Sequence, residues 1–209
     1  MSVSVPTKTQ GTELLAHTQQ ATAVVTLGTP LDVSTMFGVN VFAKMGRTVA
    51  TALTNEVLFR IEGSAKSSGN DEWFPIYEFT SENGTTTCNA STLNDASFNA
   101  ADTSFTITSP TGMAPGDNLY FRETGTPADS EWSKELSVSG SVITLEEAIT
   151  RGHTNGITIT DLGEIFQAIY IDCSALGRIR FVCDTAANAS GQTVDVIAWA
   201  VSLDSVTTT

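Results

Sequence analysis

The chain has 209 residues, enough for one large β-domain or two small ones. Its 23 Asp and Glu against 10 Lys and Arg give a net charge of −13, a field that repels phosphate and so argues against nucleic acid and anionic membrane as direct partners. Charged residues make up 16% of the chain, against about 25% in ordinary soluble domains, and Thr, Ser, Ala, Asn and Gly supply the polarity instead. Ordering such short side chains at a contact costs less entropy than ordering Lys or Glu.

Residues 1–12, MSVSVPTKTQGT, read as a polar arm broken by Pro6 and Gly11, and Met1 to Gln10 lack the basic-then-apolar order of a secretory leader. Glu13 to Gln20 suggest a helical turn. From Ala21 the apolar residues recur with period two, the spacing of a half-buried strand. Ala23, Val25 and Leu27 share one face before Gly28 and Pro30 stop the run. Val39 to Met45 alternate next, then Val57, Phe59 and Ile61 against Leu58, Arg60 and Glu62. Trp73 to Thr80 form the following strand, and Asn83-Gly84 is a type I′ turn signal.

Between Ser81 and Asp102 large apolar groups thin out, marking a passage into a different unit. Short strands follow at Ser104 to Thr108, Asn118 to Arg122, Lys134 to Val138 and Val142 to Leu145, the last two joined by a tight Ser139-Gly140 turn. Leu145 to Thr150 read as a helical turn, and Asn155-Gly156 as one more reversal. After Gly163 the strands are strongly apolar: Ile165 to Asp172, Arg178 to Cys183 and Val194 to Leu203. The last is apolar on both faces. It is either central in a two-layer structure or turned outward to another subunit.

No helices alternate with these strands, so the expected fold is all-β: an antiparallel jelly-roll-like sandwich built from residues 13–85 and 161–209, with a small β-module at 86–160 inserted in it. No chemistry-bearing pattern accompanies it. His17 and His153 are far apart, without HExxH or a GxSxG elbow, and Gly112 to Asp117 precede a strand rather than the helix a phosphate loop needs. Cys88, Cys173 and Cys183 lack metal or disulfide spacing and read as buried thiols. The chain is therefore expected to be no enzyme, with no catalytic, cofactor or metal residues. Trp73 and Trp132 sit near turns, as lids on the core or as contact residues of the kind that carbohydrate platforms use.

The middle stretch, MAPGDNLYFRETGTPADSEWSKELSVSGSVITLEEAITRGHTNG, has Gly116-Asp117 before a strand, Ser130-Glu131 leading into another, and His153 to Gly156 after a hairpin. With the flanking NEVLFRIEGSA, WFPIYEF and IYIDCSALGRIRFVCDTAANASGQTVDVIAWAVSL it resembles virion structural proteins of tailed bacteriophages, particularly head decoration (cement) proteins. The resemblance implies a protein folded in the host bacterial cytoplasm that binds the capsid surface as a homo-oligomer. Its partners would be the major capsid protein and its own copies. Val3, Val5 and Pro6 of the arm and Trp132 are the candidate contact residues. A tail or head-fibre component is the nearest alternative, and an extracellular carbohydrate-binding or adhesion module a more distant one.

Overall fold

The computed structural model describes residues 11–20, 24–69, 72–82, 84–189 and 192–204. Arm residues Val3, Val5 and Pro6, and Asn83 of the expected type I′ turn, lie outside them. In chain order the first strands are β1 (Thr12–Gln20), β2 (Val25–Leu27), β3 (Leu31–Asp32), β4 (Met36–Arg47), β5 (Leu58–Ser64) and β6 (Phe74–Thr80). The middle strands are β7 (Ala90–Thr92), β8 (Ser104–Thr106), β9 (Asn118–Arg122), β10 (Glu131–Ser139), β11 (Val142–Leu145) and β12 (Thr158–Thr160), with one 3-10 turn at Pro127–Asp129. The last strands are β13 (Glu164–Asp172), β14 (Arg178–Asp184) and β15 (Val194–Asp204).

The protein is all-β, and its strands pair antiparallel in three sheets. A four-stranded sheet runs β1-β15-β4-β13, and a five-stranded one runs β2-β14-β5-β6 with β3 also on β14. These two sheets face each other across one core. Val39, Val41 and Met45 of β4 and Val194, Val196 and Ala198 of β15 meet Phe59 and Ile61 of β5 and Ile179 and Phe181 of β14, all nearly or fully inaccessible. This is the layered packing that period-two sequences dictate when only one face of each sheet is buried against the other.

One long side of the sandwich is tied shut by backbone: Thr29 N–H donates to Leu14 O and Gly28 N–H to Phe181 O, each at 2.7 Å. The opposite side ends in two free strand edges, β6 and β13. A cleft of about 770 Å³ runs along them, with Phe79 and Phe166 in edge-to-face contact at 4.9 Å.

Every strand from Ala90 to Thr160 belongs to the third sheet, β7-β12-β9-β10-β11-β8. It curls until its outer strands meet: Leu93 bridges Ile107, and Thr108 N–H donates to Thr92 O at 2.9 Å. Inside lies a second core of Leu93, Phe98, Phe105, Leu119, Phe121 and Ile159 among others. Gly140 adopts the positive φ of 58° that the β10–β11 hairpin needs.

Two local expectations are corrected. Residues 13–20 form strand rather than helix, because pairing with the apolar β15 supplies hydrogen bonds and burial that a lone helical turn lacks. Leu145 ends β11, and Glu146 to Thr150 form bends without a helical turn; Thr150 N–H and hydroxyl bond to the Glu131 carboxylate instead.

The third sheet sits on the sandwich through a dense junction. Tyr120 of β9 lies flat over Gly46 of β4, where any Cβ would collide with its ring. Its hydroxyl donates to Asp195 Oδ2 at 2.6 Å, and Arg122 Nε reaches the same oxygen at 3.1 Å. Trp132 Nε1 donates to Met45 O at 2.9 Å. Arg47 binds the chain on both sides of its excursion: its guanidinium donates to Gly84 O at 2.9 Å and Thr86 O at 3.0 Å, and its carbonyl accepts from Thr160 Oγ1 at 3.3 Å. Overpacking of this kind costs about 1–3 kcal/mol. Gly46→Val is expected to lose that much stability in urea unfolding while Gly125→Val, at a glycine with open space around it, stays near wild type.

Candidate interaction surface

The outward faces of the two sandwich sheets differ in chemistry. On the five-stranded sheet, ion pairs cross the centre of the surface, with Arg180 Nη2 2.6 Å from Glu62 and Arg60 Nη1 3.7 Å from Asp184, and Val25 and Leu27 of β2 stand exposed beside them. Trp73 stacks on this ladder, its ring 4.3 Å from the Arg180 guanidinium and 4.9 Å from that of Arg178. It is a half-buried lid over a charged face, which is how a sheet normally meets water.

The four-stranded sheet turns outward Ile197, Trp199, Val201 and Leu203 of β15 beside Phe42 and Lys44 of β4. Their registry is read from the pairs Ile197–Lys44, Trp199–Phe42 and Val201–Asn40. Ile165 and Tyr170 extend the same face onto β13, opposite Lys44 and Asn40, and are 49% and 58% exposed. The Phe42 and Trp199 rings stack at 5.4 Å and 8°. Glu13 and Asp172 stand at the margins, opposite Trp199 and Gly38. Within the face Lys44 is the charged side chain, its ammonium 5.5 Å from the Trp132 ring centre and 6.0 Å from that of Trp199. Burial pushes its pKa down. β15 is central in its sheet, between β1 and β4, and its outer face has no second layer over it among the described residues.

A groove of about 670 Å³ forms where this face meets the third sheet, with Lys44, Ile165 and Trp199 on one side and Trp132, Lys134 and Glu146 on the other. Trp132, expected as a contact residue, is half-buried. Its nitrogen is anchored on Met45 O, and its ring lies against Tyr120 at 4.6 Å and His17 at 5.0 Å. Only part of it faces the groove. Trp199, which sequence reading placed as strand and not as a site, lines the same groove; its signal was the apolar outer parity of β15.

The titratable side chains serve the frame. His153 closes the motif carried by the middle stretch: Nδ1 lies 3.2 Å from Glu123 and Nε2 2.9 Å from Glu131, with the ring stacked on Phe121 at 5.2 Å. Its side chain has no exposed surface, so no nitrogen is left for a substrate. Those contacts, with Thr150 and Arg151 backbone N–H groups, hold the Glu131 carboxyl below its ordinary range despite burial. The Tyr120 hydroxyl is driven far toward its neutral form by burial and by Asp195. Cys88, Cys173 and Cys183 are buried free thiols, and among the described residues no group of three or more His, Cys, Asp or Glu is placed to hold a metal ion.

Glu135 departs from this pattern at both of its oxygens. It pairs with Leu145 on β11 and so points with it into the second core; it is fully buried, and neither carboxylate oxygen has a hydrogen-bond partner. Burial first, then the neighbouring charges of Asp117 and Asp161, raise its pKa to about 7.

No protein-family model and no curated protein matches the chain.

The proton on Glu135 sets a pH window. The folded carboxyl holds it up to about pH 7 and the unfolded one only to 4.5, so this group's stabilising contribution is complete below 4.5 and lost as pH rises through 7. Glu135→Gln is expected to flatten that decline and to gain on the order of 2 kcal/mol over wild type at pH 8 in urea unfolding.

Proposed function

We propose that the chain is a non-enzymatic structural protein of a tailed-phage particle, a decoration protein that binds the outer surface of the head and reinforces it. The observation that carries this reading is the apolar outer face of the four-stranded sheet, centred on Trp199 and rimmed by Glu13 and Asp172. Contiguous apolar area of this kind with a polar rim is the anatomy of a protein contact. The opposite sheet carries the Arg60–Asp184 and Arg180–Glu62 pairs across its centre, with Val25 and Leu27 exposed at its β2 edge.

Two further features support a building part. The junction around Gly46, Tyr120, Asp195 and Arg47 fixes the third sheet against the sandwich, as a load-transmitting piece requires. The motif positions that resemble phage modules also have mechanical roles: Glu131 and His153 clamp each other, and Gly116 N–H donates to Glu135 O at 2.8 Å.

A second reading, a glycan-binding or adhesion module, is favoured by one observation, the groove that places Trp132, Trp199 and Lys44 together. The two readings separate in one experiment. Purified chain is mixed with heads of its own phage stripped of it, and binding is read by co-sedimentation and by the temperature at which filled heads release DNA. Decoration is expected to give saturable binding and a higher release temperature. Absence of binding, with glycan binding that is lost on Trp199→Ala, would replace it with the adhesion reading.

A further inference from the structure

We propose that two copies of the chain associate face to face through the outer surfaces of their four-stranded sheets. The inference rests on the reading of the chain as an assembling part: the contact made by its apolar face is with a second copy, and the dimer is the unit that meets the head. The face is flat, pleated and self-complementary in kind, so a twofold axis lets each copy present Trp199 and Tyr170 to the other, as sheets do when they stack about 10 Å apart.

Size favours a second copy. Four strands at about 4.8 Å spacing, over the seven residues from Ile197 to Leu203 at about 3.4 Å each, span roughly 450 Å² of flat area per copy. The two copies together present roughly 900 Å² of flat area, close to the ~1,200 Å² at which stable specific interfaces begin. A smaller ligand or a single added strand leaves most of that area wet.

Charge favours it as well. Two molecules that each carry −13 repel one another over most approaches. Lys44 lies inside the rim of this face, Asp195 on the same side of β15 is covered by Tyr120 and Arg122, and Glu13 and Asp172 stay at the margin, where water screens them. Trp199 is already stiffened by its stacking on Phe42, and the Tyr170 ring lies against Gly38, so both aromatic anchors lose little freedom on docking.

The test is the mass of the full chain in solution, by size exclusion with light scattering over a range of concentrations and without any phage head, so that its failure is separate from failure to bind heads. The expected result is twice 22.1 kDa for wild type and a single chain for Val201→Glu. Tyr170→Glu, at a side chain already 58% exposed, provides a second disruption that spares the core, and circular dichroism checks that each variant stays folded. Leu136→Glu, an exposed apolar residue on β10, is expected to leave the dimer intact. A single-chain mass for wild type overturns the proposal. If removal of residues 1–10 then yields the dimer, the chain's own N-terminal segment is the occupant; if it does not, the face awaits a foreign partner. A wild-type dimer indifferent to both face substitutions overturns it equally.

Discussion

The pairing of β4 with β15 is the constraint on which the rest of the molecule depends. It runs without interruption from Val194 opposite Arg47 to Leu203 opposite Gly38 and joins parts of the chain about 150 residues apart. Its inner side supplies Val41, Met45, Val196 and Ala198 to the sandwich core. Its outer side supplies Phe42, Lys44, Ile197 and Trp199 to the candidate surface. β1 and β13 register against this pair, and the junction with the third sheet stands at its end, on Gly46, Arg47 and Asp195. One ladder therefore fixes core, surface and junction together. The loop-closure entropy of so distant a pairing is repaid only when the whole ladder forms, which ties sandwich folding to the module it encloses.

Arg47 shows how that tie works at the level of atoms. A fully buried guanidinium is tolerable because carbonyls meet it: Gly84, Thr86 and Thr51 accept from it as the chain leaves the sandwich. The same residue's carbonyl accepts from Thr160 as the chain returns. The excursion is thus pinned at both ends by one residue of the central pair, and Tyr120 and Trp132 pin its flank. Rigid seating bears on the proposed function, since a contact made by the sandwich is transmitted to the module through this junction.

Most of the architecture was legible in the sequence because period-two alternation is a local signal. β4, β5, β9, β13, β14 and β15 fall where Val, Ile and Phe alternate, and Gly140 sits where a two-residue turn needs positive φ. Local signals failed where partners decide. Thr12–Gln20 is strand because β15 lies beside it, and residues 146–150 lack a helix because the Glu131 carboxylate captures the Thr150 N–H. The site was less legible still. His153 gains its meaning from Glu123 and Glu131, Asp195 from Tyr120 and Arg122, and Glu135 from having no partner; none of these pairings has a spacing that sequence reading recognises. Trp132 looked exposed beside a turn, but the junction claims its nitrogen. Trp199, lost in an apolar strand, lines the same groove.

The contrast between the two sheet surfaces carries the functional proposal: ion pairs cross the centre of one, and Phe42, Trp199 and Tyr170 stand on the other, the surface proposed to meet a partner. The most direct measurement is a cryo-EM map of the assembly in which the protein works. The expected map places protein density against Trp199, Val201 and Tyr170 and leaves the Arg60–Glu62–Arg180 ladder in solvent. A map with that ladder buried and the Trp199 face open to water contradicts the account at its centre.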